Sequence, residues 1–170
     1  MSFSVFQDLA EVVLSRRLSS KHHALEVRCP RMAAKVKPGQ FVTVRVPGQL
    51  LRRPFSIAGV KGDQLLIAFK IVGPGTRYLA SLKKGDNLDL LGPLGTGFTL
   101  KTKERECTLV GGGCGAAPLL FLAQELKKQG KKIHLYLGAR NQDELLLVKE
   151  FAPLAVTRHI VLEKPLRGKA

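Results

Sequence analysis

The chain has 170 residues, of which 45% are hydrophobic and 24% are charged, so it is long enough for one ordinary globular domain or for two small ones. It contains no uncharged apolar run of about 18 residues, which argues against a membrane-spanning helix. The N-terminal sequence MSFSVFQDLAEVV lacks the basic start and apolar block of a secretory signal, so we expect a cytoplasmic protein.

The net charge is +15, from 28 Lys and Arg residues against 13 Asp and Glu residues. Such a balance can indicate nucleic-acid binding. The basic residues are spread over predicted turns and helix ends, however, and a chain with two Tyr and no Trp offers few rings for stacking on bases. We therefore expect a solvated basic surface, with attraction to acidic small molecules or to an acidic partner protein as the alternative.

Residues 1 to about 100 predict short strands separated by glycine-containing turns such as KPGQ (37–40) and KGD (61–63). The predicted strands are LEVRCP (25–30), QFVTVRVPG (40–48), PFSIAGV (54–60), QLLIAFKIVG (64–73) and NLDLLGPLG (87–95). A short helix is predicted over TRYLASLKKGD (76–86), ending at Gly85. This succession predicts a closed or nearly closed antiparallel β-barrel domain over residues 1–101.

A polar run, KTKERE (101–106), predicts a linker, and the pattern changes after it. The predicted elements are a strand CTLVGGG (107–113), a helix APLLFLAQELKKQG (117–130), a strand KIHLYLGAR (132–140) and a helix QDELLLVKEFAPL (142–154). Alternation of strand and helix indicates a parallel α/β sheet. Because two strands and two helices do not complete a nucleotide-binding sheet, residues 107–170 are predicted to form a partial α/β domain.

The turn GGGCGA (111–116) fits the dinucleotide fingerprint G-x-G-x-x-A, with Gly111, Gly113 and Ala116 at its fixed positions. It follows a predicted strand and opens a predicted helix, where glycines allow a pyrophosphate to approach the backbone and the helix N-terminus. The alternative is a glycine-rich turn without a ligand. No acidic residue ends the following strand, whereas Arg140 lies there, so the choice between NAD and NADP stays open.

Two segments of the predicted barrel suggest a second ligand. In RRPFS (52–56), Pro54 stiffens a strand that carries an arginine, an aromatic ring and a hydroxyl, which suit a phosphate and a flat ring. Alternation predicts that Phe55 and Ser56 face opposite ways, and an edge strand that begins with proline is the alternative. In GPGT (73–76), Thr76 is predicted to be the N-cap of a helix whose free N–H groups could bind an anion; an ordinary capped helix is the alternative.

Four segments together resemble one known family. LRRPFSI (51–57), KIVGPGTRYL (70–79), LGPLGTGF (91–98) and VGGGCGAAPLLFLA (110–123) occur in the order and spacing of the ferredoxin–NAD(P)+ reductase-like flavoproteins. Among these, they are most similar to the electron transfer subunits of type B dihydroorotate dehydrogenases. The resemblance extends to about Phe151 and implies an FAD-binding β-barrel followed by a partial Rossmann-like domain that binds NAD(H).

The resemblance also implies roles for individual residues. Arg53 would bind the FAD pyrophosphate, Phe55 and the backbone around Pro54 would lie beside the flavin, and Ser56 would hydrogen-bond near its reactive nitrogen. Phe55 stands where the wider family often has Tyr, so its ring is kept and the hydroxyl is lost.

Further residues are implied at the two phosphate sites. Gly75 and Thr76 would hold the FAD diphosphate, the glycines of the GGGCGA turn would face the nicotinamide nucleotide, and Cys114 would lie near the flavin–nicotinamide junction. The complete set of predicted cofactor-binding residues is Arg53, Pro54, Phe55, Ser56, Lys70, Gly75, Thr76, Gly111, Gly112, Gly113, Cys114 and Gly115. No catalytic residue is predicted, because the hydride chemistry belongs to the cofactors.

The implied function is electron transfer between NAD(H) and a catalytic dihydroorotate dehydrogenase subunit in a hetero-oligomer of pyrimidine biosynthesis. Two alternatives stay open: an oxidoreductase subunit with a different acceptor, and a truncated remnant without this function. A remnant whose basic barrel binds nucleic acid is the hypothesis from another class, and the glycine-rich loops and few aromatic residues argue against it.

The resemblance also implies that the type B electron transfer subunits continue into a cysteine-rich C-terminal segment that ligates a [2Fe–2S] cluster. Here the tail TRHIVLEKPLRGKA (157–170) does not continue the family pattern, so the chain is expected to be shortened at its C-terminus. Cys29, Cys107 and Cys114 are widely spaced and lack CxxC spacing, so neither a cluster nor a disulfide framework is expected. The partial sheet is expected to expose apolar surface.

Overall fold

Six antiparallel strands close a β-barrel in a computed structural model that describes residues 4–163. The strands are β1 (Phe6–Arg17), β2 (His22–Arg28), β3 (Phe41–Val44), β4 (Arg53–Lys61), β5 (Gln64–Lys70) and β6 (Asn87–Leu94). Their order around the barrel is β1-β2-β5-β4-β3-β6, and β6 pairs with β1 to close it. The predicted antiparallel barrel is therefore confirmed.

The barrel interior is filled by the apolar residues that alternate along its strands. Val42 and Val44 of β3 are completely buried, and so are Leu65 of β5 and Leu90 of β6. Burying such side chains stabilises the barrel by roughly 1.5–3 kcal/mol each. Two helices lie on the barrel connections, α1 (Pro30–Ala33) and α2 (Pro74–Ser81).

The second half of the chain forms a three-stranded parallel sheet in the order β7-β8-β9. Its elements are β7 (Glu106–Gly112), α3 (Ala116–Lys128), β8 (Lys132–Ala139), α4 (Val148–Phe151) and β9 (Thr157–Leu162). Leu120 and Ala123 of α3 are fully buried against one face of the sheet. On the other face, Val110 and Val161 are 72% and 64% exposed, although parallel sheets are commonly covered on both faces.

Two predictions for the last part of the chain are wrong. The helix predicted over residues 142–154 is reduced to a 3₁₀ turn, Gln142–Glu144, and the four-residue helix α4. Leu147 has a left-handed backbone with φ of 59°, which interrupts any helix, while its side chain is 4% exposed in the core. The segment Thr157–Leu162, predicted to leave the family pattern, forms the third parallel strand.

Helix α3 packs directly on the barrel. Ala58 of β4 and Ala68 of β5 share one buried cluster with Ala117 and Leu120 of α3. A Cβ atom at Gly59 would lie 3.0 Å from Oε1 of Gln124, so the absence of a side chain there lets the helix approach the barrel. This packing fixes the start of α3, and the glycine-rich turn before it, beside β4. No helix between residues 4 and 163 is both long and apolar enough to cross a membrane.

Candidate functional site

A cleft of about 480 Å³ lies where β4, the end of β5, the start of α2 and the turn before α3 meet. Eight of the predicted cofactor-binding residues border it: Arg53, Pro54, Phe55, Ser56, Lys70, Gly75, Thr76 and Cys114. Its volume lies within the range of small-molecule sites, about 300–1,000 Å³. The fold therefore brings residues from both halves of the chain to one cavity.

The two arginines of the RRPFS segment have different environments. Arg52 donates from Nη2 to both carboxylate oxygens of Asp89, at 2.9 and 2.8 Å, and so ties the loop before β4 to β6. Arg53 borders the cleft, and its Nε donates to the amide oxygen of Gln49 at 2.9 Å. Within residues 4–163 no carboxylate pairs with Arg53, so its charge is available to an anion in the cleft.

Aromatic and hydroxyl groups lie next to this arginine. The ring of Phe55 contacts the ring of Phe69 edge to face, with centroids 5.5 Å apart, and both residues border the cleft. The sequence predicts that Phe55 and Ser56 face opposite ways along β4. Both residues nevertheless border the cleft. An apolar wall with one hydroxyl beside it suits a flat heteroaromatic ring.

The start of α2 differs from the prediction at one residue. Gly73, not Thr76, is the N-cap, because Pro74 occupies the first helical position with its φ already fixed. The Thr76 hydroxyl instead accepts hydrogen bonds from the backbone N–H groups of Val72 and Gly73, at 2.9 and 3.0 Å, and so shapes the preceding loop. The N–H groups of the first turn have no partner within a helix, so Gly75 and Thr76 still offer an anion site through the backbone.

The glycines of the GGGCGA turn do not share one role. A Cβ atom at Gly111 would lie 2.6 Å from Cδ1 of Leu119, so this glycine allows α3 to pack on β7. Gly112 and Gly113 border a second cleft of about 500 Å³ at the carboxyl end of the parallel strands, and Gly113 has φ of +51°. Gly115 borders neither cleft, although a Cβ atom there would meet no neighbour.

Lys70 is the residue that borders both clefts. Its Nζ lies 3.0 Å from Oε2 of Glu144, and the other oxygen of Glu144 lies 3.2 Å from Nζ of Lys21. Hydrogen bonds from Lys70 and Lys21 lower the pKa of Glu144 below its ordinary value. Neither Glu144 nor Gln49 was predicted from the sequence as part of the site. Neither residue belongs to a motif, and its role follows only from its contact with Lys70 or Arg53 in the folded chain.

The cysteines do not assemble a metal site. Cys29 lies in the barrel, where its Sγ donates to Asp8 at 3.3 Å, and burial together with this bond raises its pKa to about 12. Cys114 borders the first cleft and is exposed. Among residues 4–163, no group of three or more His, Cys, Asp or Glu side chains could hold a metal ion, so these residues do not fit a [2Fe–2S] cluster.

Comparison with known families and proteins identifies relatives for both halves of the chain. Residues 109–161 match the oxidoreductase NAD-binding domain family, so the expectation that the family pattern ends at about Phe151 was wrong. The chain is 42% identical over 127 residues to the electron transfer subunit of dihydroorotate dehydrogenase B (NAD(+)) from Fusobacterium nucleatum, covering 71% of this chain and 49% of the relative. It is 33% identical over 157 residues to the subunit of the same name from Enterococcus faecalis, covering 89% and 60%. The chain thus spans about half to three fifths of the length of these curated relatives.

Solved structures have the same architecture. An NADH-dependent reduced ferredoxin–NADP oxidoreductase superposes with a TM-score of 0.80 at 31% identity, over 90% of this chain and 56% of that one. Phthalate dioxygenase reductase superposes with a TM-score of 0.75 at 20% identity, over 98% and 54%, a likeness that shows the fold alone. The barrel, the parallel sheet and these matches establish that the chain belongs to the ferredoxin–NAD(P)+ reductase-like family, as its four motifs predict.

Proposed function

We propose that this chain binds FAD in the first cleft and NAD(H) in the second, and that it transfers electrons between NAD(H) and a catalytic dihydroorotate dehydrogenase subunit. The observation that carries the proposal is the shared cavity: Cys114 of the glycine-rich turn and Ser56 of β4 border the same cleft. A nicotinamide held by that turn would therefore reach the ring held by β4. The names of the curated relatives, electron transfer subunits of dihydroorotate dehydrogenase B (NAD(+)), support the same function.

The first cleft fits FAD in both charge and shape. Arg53 and the free N–H groups at the start of α2 supply positive charge for a diphosphate. Phe55 and Phe69 supply an apolar wall for the flavin ring, and Ser56 supplies a hydrogen-bonding group. A Cβ atom at Gly75 would stand 3.2 Å from Gln49, so the glycine keeps this part of the cleft open.

The second cleft fits a dinucleotide at the carboxyl end of a parallel sheet, where such ligands bind in open α/β folds. Gly112 and Gly113 present backbone without side chains, and Arg140 supplies positive charge, whereas Lys70 is paired with Glu144 in the same cleft. The relatives' names specify NAD(+), and NADP is the competing ligand because Arg140 offers a partner for a 2′-phosphate.

The chemistry that FAD supplies when bound is the transfer of electrons between a nicotinamide and a second redox partner. The residues of this chain bind and orient. Arg53 and the start of α2 hold the diphosphate, Phe55 and Ser56 orient the ring, and the turn before α3 brings the dinucleotide to the same cavity. Since the described residues offer no ligand set for an iron–sulfur cluster, no cluster is part of the proposal.

Flavin binding is tested with the purified full chain and two arginine variants. The wild-type chain should bind FAD with a visible flavin absorbance and with quenched flavin fluorescence. Arg53→Ala should weaken the binding by roughly 10- to 100-fold, because a charge-assisted hydrogen bond of about 1.5–3 kcal/mol is lost. Arg105→Ala removes the same charge from the exposed segment before β7 and is the matched control. Loss of affinity in both variants to the same extent would contradict the assignment of Arg53.

Electron transfer is tested separately under anaerobic conditions. NADH should bleach the flavin absorbance of the reconstituted chain faster than NADPH does. The reduced chain should then pass electrons to a dihydroorotate dehydrogenase catalytic subunit, and co-purification should recover the two together. A chain that binds FAD and is not reduced by either nucleotide would refute the second cleft as a dinucleotide site and leave the first cleft standing.

A second candidate function follows from the structural neighbour at 31% identity, which is an NADH-dependent reduced ferredoxin–NADP oxidoreductase. The same two clefts would then exchange electrons with a ferredoxin as the protein partner. Reduced chain that transfers electrons to ferredoxin, and not to the dihydroorotate dehydrogenase subunit, would select this function.

A further inference from the structure

We propose that Gln49 is a positioning residue that orients Arg53 for the diphosphate of FAD, an inference that rests on the proposed function. Nε of Arg53 donates to Oε1 of Gln49 at 2.9 Å, and both residues border the first cleft. Gln49 lies in the loop between β3 and β4, outside every motif that predicted the site.

Gln49 accepts its hydrogen bond from Nε of Arg53, the nitrogen whose position sets the orientation of the guanidinium. A guanidinium is planar, so a fixed Nε restricts both the plane of the group and the direction of its two terminal nitrogens. No partner of those nitrogens lies within residues 4–163, so this edge of Arg53 remains available for a bidentate contact with phosphate oxygens. An arginine already held by a neighbour also loses less side-chain freedom when the anion binds.

Gln49 also lies against the other anion-binding element. Its Oε1 and Nε2 lie 3.2 and 3.3 Å from the position that a Cβ atom of Gly75 would occupy, at the start of α2. The residue therefore stands between the arginine and the helix N-terminus. Its own placement is fixed by a turn, in which its backbone N–H donates to Val46 at 3.1 Å and Gly48 has φ of +72°.

Because its amide is uncharged, Gln49 can orient Arg53 without neutralising it. Arg52, the neighbouring arginine, is held by the carboxylate of Asp89 and is neutralised by it. Gln49 holds Arg53 with an uncharged oxygen, so the orientation is fixed while the positive charge stays available to a ligand. A carboxylate at position 49 would keep the contact and compete with the phosphate for the same charge.

The test is a set of FAD dissociation constants for the full chain, measured at two salt concentrations. Gln49→Ala should weaken binding by about 3- to 10-fold, the effect of one lost hydrogen bond. Gln49→Glu should weaken binding further and reduce its salt dependence, because the cation is neutralised before the ligand arrives. Gln129→Ala, in an exposed position after α3, is the matched control and should leave the affinity unchanged.

A double-mutant cycle separates positioning from a merely structural role. If Gln49 acts through Arg53, then Gln49→Ala should change FAD affinity by less than about twofold in the Arg53→Ala background. The full effect of Gln49→Ala in that background would overturn the inference.

A second readout does not require the flavin. In the ligand-free wild-type chain, the Nε–H proton of Arg53 should show a resolved NMR signal that is slowed in solvent exchange, and Gln49→Ala should remove this protection. This inference alone would be refuted if the wild-type chain binds FAD, Gln49→Ala binds FAD with the same affinity, and the Arg53 Nε–H proton of the wild-type chain is not protected from exchange. A wild-type chain that does not bind FAD would refute the proposed function and this inference with it.

Discussion

Lys70 and Glu144 connect the barrel to the parallel sheet at the point where the two clefts meet. Nζ of Lys70, at the end of β5, lies 3.0 Å from Oε2 of Glu144, in the turn after β8. Lys21 contacts the other oxygen of Glu144, and the hydroxyl of Ser19 donates to the backbone oxygen of Asp143 at 2.9 Å. The turn that carries this carboxylate therefore adds polar contacts between the two halves to the packing of α3 on the barrel.

Replacing this carboxylate should make the chain less stable in a manner that depends on pH. The pKa of Glu144 lies below its ordinary value of 4.5, because Lys70 and Lys21 donate hydrogen bonds to the ionised form. An acid with a lowered pKa in the folded state contributes stability above 4.5, and this contribution is lost as the pH falls through the folded pKa. Glu144→Gln should therefore be less stable than wild type at neutral pH and equal to it in acid, as measured by urea unfolding at several pH values. A stability difference that is constant across this range would contradict the ion pairs.

His22 should give a second pH dependence at higher pH. His22 is 1% exposed, and burial lowers its pKa below 6.5. The charges of Lys70 and Lys21 lower the pKa further, whereas a hydrogen bond with the backbone of Asp143 and the carboxylate of Glu144 oppose the shift. Below pH 6.5 the unfolded chain then binds the proton more readily than the folded chain, so stability falls as the pH falls.

The variant His22→Gln should flatten this part of the stability profile, which is measured by thermal unfolding between neutral and mildly acidic pH. His159→Gln is the control, because His159 lies on the exposed side of β9 and stacks on Tyr136. An unchanged slope in His22→Gln would mean that other groups carry the dependence.

The elements that were predicted correctly are those in which local sequence fixes both the backbone and the burial. Val42 and Val44 alternate with half-buried residues along β3, and the same period appears in Ile133 and Leu135 of β8. The segments of the site were also predicted from local sequence. Pro54 restricts the backbone at the start of β4, and the glycines of the GGGCGA turn allow a tight turn, so both segments form motifs that the sequence alone reveals.

Strand β9, the segment after β8 and two residues of the site were missed because tertiary contacts decide their structure. Within residues 4–163, strand β9 pairs only with β8, and its Ile160 and Val161 are 46% and 64% exposed, so no alternation of burial marks it in the sequence. The run Leu145 to Leu147 has the composition of a helix, but the core takes up Leu146 and Leu147 in a non-helical backbone. Gln49 and Glu144 carry no motif, and their roles appear only when Arg53 and Lys70 are placed beside them.

Gly111 should prove to be a packing residue, in contrast to Gly112 next to it. A Cβ atom at position 111 would lie 2.6 Å from Cδ1 of Leu119, whereas at position 112 the nearest atom would be 3.6 Å away. Gly111→Ala should therefore cost about 1 kcal/mol of unfolding free energy, the low end of the range for overpacking, because the end of the half-buried Leu119 side chain has to move. Gly112→Ala should cost less than about 1 kcal/mol and should act on dinucleotide affinity instead.

Leu119→Ala provides the internal check on this interpretation. Combined with Gly111→Ala, it should cost clearly less than the sum of the two single variants, because the clash is removed together with the leucine side chain. Additive costs in urea unfolding would show that the strain of Gly111→Ala arises elsewhere.

The cysteines of the two halves should differ in reactivity, and FAD should change only one of them. Cys29 is 1% exposed, and its pKa is raised from 9.0 to about 12, which alone lowers the thiolate fraction at mildly alkaline pH by roughly a thousandfold. Cys114 is exposed and borders the first cleft together with Ser56. Iodoacetamide labelling of the native chain, followed by peptide mass spectrometry, should therefore modify Cys114 well before Cys29. Added FAD should slow the labelling of Cys114 and leave that of Cys107, in β7, unchanged. Equal protection of Cys107 and Cys114 would indicate a general stabilisation of the fold rather than a ligand in the cleft.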